Sequence, residues 1–121
     1  MKTLRVLLGT LLVASAAPAL AADVTGDWRV TISTADETIT GMGSLKQTGD
    51  KVTGWVGPDE HNQIPIDGVV EGNSLTITTH PQPGRTVAFD KCHLTVNGDT
   101  MAGTIEPTKG TIEFVRAVKN R

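Results

Sequence analysis

The sequence predicts an all-β fold: a single eight-stranded antiparallel up-and-down β-barrel, preceded by a signal-peptide helix. Three observations predict it. Beyond residue 21, apolar and polar residues alternate over short runs, and apolar residues nowhere recur at helical spacing over ten or more positions. Thr supplies 16 and Gly 12 of residues 22–121, and the chain has no Tyr. That composition suits strands and tight turns better than helices. Finally, Gly49-Asp50, Gly72-Asn73 and Asn97-Gly98 are two-residue hairpin signals placed between alternating runs.

The chain opens on a leader. Lys2 and Arg5 make a short basic start, and Val6 to Ala17 is an apolar stretch. Ala19 and Ala21 then place small residues where a signal peptidase reads them. Residues 1–21 are therefore expected to be a secretory signal peptide cleaved after Ala21 or one residue later. The apolar run is short for a bilayer, and Pro18 interrupts it, so a permanent anchor is not expected. No Cys follows the small residues to accept a lipid. Residues 22–121 form the barrel domain, exported to the periplasm or secreted.

The strands follow in order. Trp28, Val30 and Ile32 alternate with Arg29, Thr31 and Ser33 over about 25–34. The next runs are 38–48, 52–57, and 63–71 with Ile64, Ile66 and Val70 on one face. Then come 74–79 with Leu75 and Ile77 inward, 85–96, 99–106, and 110–118 with Ile112 and Phe114 on one face. In a meander the connections alternate between ends. The three tight turns thus share one end. The connections near 36–37, 57–62, 80–84 and 107–109 share the other. Residues 45–54 and 94–103 are weakly self-similar, as two like hairpins would be.

Eight antiparallel strands leave two exposed edges unless the first and last pair. Closure at eight strands gives an interior wide enough for side chains or one small ligand. It also brings Trp28 and Arg116 to the tight-turn end. Here Gly26-Asp27-Trp28 resembles the G-x-W that opens the first strand of the calycin barrels, the lipocalins, avidins and their relatives. The resemblance implies that Arg116, on the last strand, packs over Trp28 and closes the barrel floor together with Gly26. A guanidinium over an indole contributes about 0.5–2 kcal/mol. The chain departs from the group in two respects. It has no segment for the helix outside a lipocalin barrel, and no Tyr and no Trp beyond Trp55, so the biotin site of the avidins does not carry over.

Charge and composition exclude several classes. Removing Lys2 and Arg5 leaves nine basic and thirteen acidic residues, a net charge of −4, which gives no footprint for nucleic acid. About 100 residues make one small domain, not a multidomain enzyme. Cys92 is the single Cys, so no intramolecular disulfide exists. Its register with Leu94 and Val96 makes it a buried thiol rather than a nucleophile, and His93 beside it points to the opposite face. No Ser sits in a Gly-framed elbow, and no pair of carboxylates converges inward, so the protein is not expected to be an enzyme.

The candidate site lies at the open end and interior. His61, His80 and Arg85 sit in its loops. Asp90 alternates inward with Ala88 and Cys92 unless a bulge turns it out, Val87 and Phe89 being apolar on the other phase. Ile64, Ile66, Ile77 and Phe114, with Val30, are expected to line a cavity. No short ligand-pair spacing supports a metal, and no cofactor is expected, although an open-end His holding haem or metal is a third reading. Trp55 is out of phase with its apolar neighbours and either anchors a partner or packs on an outer neighbour. The function expected first is a small apolar or amphipathic ligand bound at the open end. The alternative is an envelope interaction module, such as a secreted inhibitor or accessory factor, that meets a protein partner through loops 57–63 and 80–85. Only residues 22–25 precede the first strand, too few for a long arm.

Overall fold

The computed structural model describes residues 22–117; the leader, and the last predicted position of the final strand, lie outside the described residues. Eight strands form one closed antiparallel barrel. They are β1 (Gly26–Thr34), β2 (Thr38–Thr48), β3 (Lys51–Gly57), β4 (Ile64–Glu71), β5 (Ser74–Thr79), β6 (Lys91–Asn97), β7 (Thr100–Glu106) and β8 (Gly110–Arg116). Each strand pairs with its sequence neighbours. The barrel closes where β1 meets β8, with Trp28 opposite Arg116, Val30 opposite Phe114 and Ile32 opposite Ile112. Closure leaves no free edge to recruit another chain.

The turn residues set the registers. Thr48 pairs Lys51, Glu71 pairs Ser74 and Asn97 pairs Thr100, so each hairpin loop has two residues. The loops are Gly49-Asp50, Gly72-Asn73 and Gly98-Asp99, and each glycine takes a φ of 62–64°. The last loop therefore lies one residue beyond the expected Asn97-Gly98, because Asn97 is still in the ladder. All three turns sit at one end, and the longer connections at the other.

Alternation then decides burial. Val52 and Val56, Ile64, Ile66 and Val70, Leu75 and Ile77, Cys92, Leu94 and Val96, and Ile112 and Phe114 all point inward. Trp55 points outward and is half-buried, flanked across the sheet by Ser44 and Pro65. This is the outer-neighbour arrangement and not a free aromatic anchor.

One strand differs from its expectation. The run 85–96 begins its ladder only at Lys91, and residues 80–90 form a loop. Pro81 and Pro83 have no N–H for a ladder, and the partner strand β5 ends at Thr79. The loop is tied at its end: Thr79 N–H donates to the Asp90 carbonyl (3.0 Å) and Asp90 N–H to the Glu106 carbonyl (2.8 Å). Asp90 is turned out of its inward phase, as the apolar phase of Val87 and Phe89 leads one to expect. Phe89 is buried and Asp90 is exposed.

Candidate functional site

The two ends of the barrel are built differently, and the difference locates the site. At the tight-turn end the floor is sealed. Trp28 is 1 % exposed and meets Phe114 edge to face, with ring centres 6.3 Å apart. Its indole Nε1–H donates to the Val24 carbonyl at 3.0 Å. The Arg116 guanidinium lies over the indole, 4.3 Å from the ring centre. Its Nη1 donates to the Thr25 carbonyl (2.7 Å), its Nη2 to the Asp23 carbonyl (3.2 Å) and its Nε to Asp99 Oδ1 (2.9 Å). Gly26 takes a φ of +141°, and a Cβ there would sit 2.8 Å from Arg116 Nη1, so only glycine leaves the arginine its seat.

The segment before β1 belongs to this floor. Val24 is fully buried, its N–H bonds Gln47 Oε1 (3.0 Å), and Ala22 N–H donates to the Gly72 carbonyl (3.2 Å). Thr25 N–H bonds Asp23 Oδ1, and that bond holds the Asp23 carboxyl below its usual pKa.

The open end holds a cavity of about 210 Å³. Val30, Ile32, Val56 and Ile64 form its wall from the barrel side, and Val87 and Phe89 of the 80–90 loop cover it. Two features make the space. The β2 position paired with the inward Val30 is Gly41, which contributes no side chain. The 80–90 loop leaves the sheet and turns Phe89 back over the interior. Beside the entrance, Ile39 and Met42 remain 37 % and 39 % exposed. The buried polar side chain here is Thr79, and its hydroxyl donates to the Phe89 carbonyl at 2.9 Å. It therefore fastens the loop and has no unpaired donor to offer.

The residues singled out from sequence divide into three groups. Ile64 lines the cavity, as does Val30. Ile66, Ile77 and Phe114 do not line it: they are fully packed into the core below, with Phe114 against the floor tryptophan. His61, His80, Arg85 and Asp90 do not line it either, because all four are exposed. His61 donates its backbone N–H to Asp59 Oδ1 (2.8 Å), and Asn62 Nδ2 donates to the same oxygen (2.9 Å). These bonds, the one from His61 first, keep the Asp59 carboxyl below its usual pKa. His80 turns its ring outward onto Asp67 (Nε2 to Oδ2, 2.6 Å), and His93 pairs with Glu106 on the outer face (2.5 Å). Both pairs are about half-exposed, and such pairs contribute about 0–1 kcal/mol. Arg85 N–H closes a turn onto the Gln82 carbonyl (3.0 Å).

Among the described residues, no three of His, Cys, Asp or Glu converge on a point that would hold a metal ion. Cys92 is fully buried, and burial pushes its thiol up to about 12, so it stays protonated at neutral pH. Sequence reasoning missed Thr79, Gly41, Ile39 and Met42 as parts of the site. The one signal it had for the covering loop was the apolar phase of Val87 and Phe89. No protein-family model matches the chain, and no curated protein or solved structure matches it.

Proposed function

We propose that this protein is an exported, non-enzymatic carrier of a small apolar or amphipathic ligand, held at the open end of a calycin-like barrel. The observation that carries the reading is the apolar cavity of about 210 Å³ at the mouth, above a sealed floor. An apolar cavity of about 150 Å³ is enough to take a benzene-sized group. Binding sites are commonly concave, mostly apolar and placed in barrel mouths. The G-x-W and Arg116 floor supports the likeness to calycins, and the basic, apolar, small-residue leader supports export to the periplasm or beyond.

The test is an isothermal titration of residues 22–121 with toluene, a neutral apolar ligand close in size to benzene. The native protein is expected to bind it saturably. Val87→Asp places a charge in the covering loop, so it is expected to weaken binding at least tenfold, and its retained strand circular dichroism is the check that the barrel is still folded. No saturable binding by the native protein, or equal binding by both, contradicts the carrier reading.

Exposed Ile39 and Met42 support the second reading, an interaction module of the envelope. In that reading loops 57–63 and 80–85 make the contact, since residues 22–25 are tucked into the floor.

A further inference from the structure

We propose that the mouth cavity selects by charge as well as by apolarity. Its ligand class is an amphiphile with one apolar tail of roughly eight or nine carbons and a neutral or cationic head. The proposal rests on the carrier reading above and narrows it.

Tail length follows from volume. If about 150 Å³ takes the six carbons of benzene, 210 Å³ takes roughly eight or nine by proportion. The head cannot enter. No charged side chain lines the cavity, and the buried Thr79 hydroxyl is already committed to the Phe89 carbonyl. A charged or strongly polar head inside would lose its water and gain no partner. It therefore stays at the rim.

The rim is acidic, and its acids lie next in sequence to the cavity wall. Asp36 and Glu37 precede Ile39, Asp59 and Glu60 follow Pro58, and Asp90 follows Phe89. Against these five carboxylates the open end sets three fixed cations, Arg85, Lys109 and, at the start of β6, Lys91. His80 is engaged with Asp67 on the outer wall. Asp59 is held ionised by the His61 N–H and the Asn62 amide. An anionic head thus approaches like charge at the entrance, whereas a cation approaches opposite charge. Salt of high ionic strength shortens the reach of this field to a few ångströms, so the discrimination is expected to be salt-dependent.

The experiment is isothermal titration of residues 22–121 with 1-octanol, octyltrimethylammonium and octanoate at pH 7, in low salt and in 0.5 M salt, alongside 1-butanol, 1-hexanol and 1-decanol. Octanol and the ammonium are expected to bind, with octanoate at least tenfold weaker in low salt and closer to parity in high salt. Affinity is expected to rise about fourfold per methylene up to octanol and to flatten at decanol. Asp36→Asn with Glu60→Gln replaces two exposed carboxylates that bond no neighbour through their side chains, and is expected to narrow the gap between octanol and octanoate. Octanoate binding as tightly as octanol in low salt overturns the charge selection and leaves the carrier reading standing. Affinity that rises as steeply from octanol to decanol as from hexanol to octanol overturns the assigned tail length. Failure of every compound to bind overturns the carrier reading and this proposal together.

Discussion

Trp28→Ala is expected to abolish the cooperative unfolding transition or bring it close to the onset of denaturation. The substitution empties a buried site, and large-to-small changes of this type cost about 3–5 kcal/mol. It also removes the edge-to-face contact with Phe114, worth about 0.5–1.5 kcal/mol in its own right. The Val24 carbonyl loses its indole donor, and the Arg116 guanidinium loses the surface on which it lies. These losses overlap, because one side chain makes all the contacts. Even so, about 4–5 kcal/mol is a large share of the roughly 5–15 kcal/mol available to a domain of this kind. Urea denaturation followed by far-ultraviolet circular dichroism gives the measurement. Trp55→Ala is the control: that ring is half-buried on the outer face, and its loss is expected to cost about 1 kcal/mol. Equal effects of the two substitutions would show that the floor does not organise the barrel.

Gly54→Ala is expected to cost about 3 kcal/mol or more, far above an ordinary glycine substitution. Gly54 takes a φ of +149°, which residues with a Cβ rarely adopt. A Cβ there would lie 2.0 Å from the Ser44 carbonyl oxygen and 3.1 Å from Leu45 Cα. Both are backbone atoms of β2, so no side chain can swing aside. The β2–β3 ladder itself would have to open. Gly49→Ala separates strain from collision: its φ is +64° and nothing lies within 4 Å of the added carbon, so about 1 kcal/mol is expected. Chemical denaturation of the two variants side by side measures the difference. Similar losses would mean that the strands do not approach as closely at Gly54 as described.

The barrel was legible in the sequence because its determinants are local. Trp28, Val30 and Ile32 alternate without interruption, and a two-residue Gly-Asp or Gly-Asn loop sets the register of both flanking strands. The pairing of Trp28 with Arg116 is distant in sequence, yet it follows once the strand count and the alternation of ends are known. Loop geometry is less readable. The 80–90 segment carries alternating apolar residues, as a strand does, but Pro81 and Pro83 deny it a ladder. It becomes the cover of the cavity. His61, His80, Arg85 and Asp90 were sensible candidates because polar loop residues surround a mouth. Their exposure depends on local contacts, such as Asp67 reaching His80 and Asp59 accepting from His61, which alternation does not encode. The cavity itself is a missing volume. It arises where Gly41 faces inward beside a loop that leaves the sheet, and neither feature announces itself as a site.

A ligand site at the open end fixes where a bound tail must lie. Residues 22–121, with isotope-labelled methyl groups, would be saturated with 1-octanol and examined for intermolecular nuclear Overhauser effects. Contacts are expected from the octanol chain to the methyls of Val30, Ile32, Ile64 and Val87 at the mouth, and none to Leu75 or Ile77, which are packed in the core. Contacts confined to the outer face of the barrel, or none at saturating octanol, would contradict a ligand site at the open end.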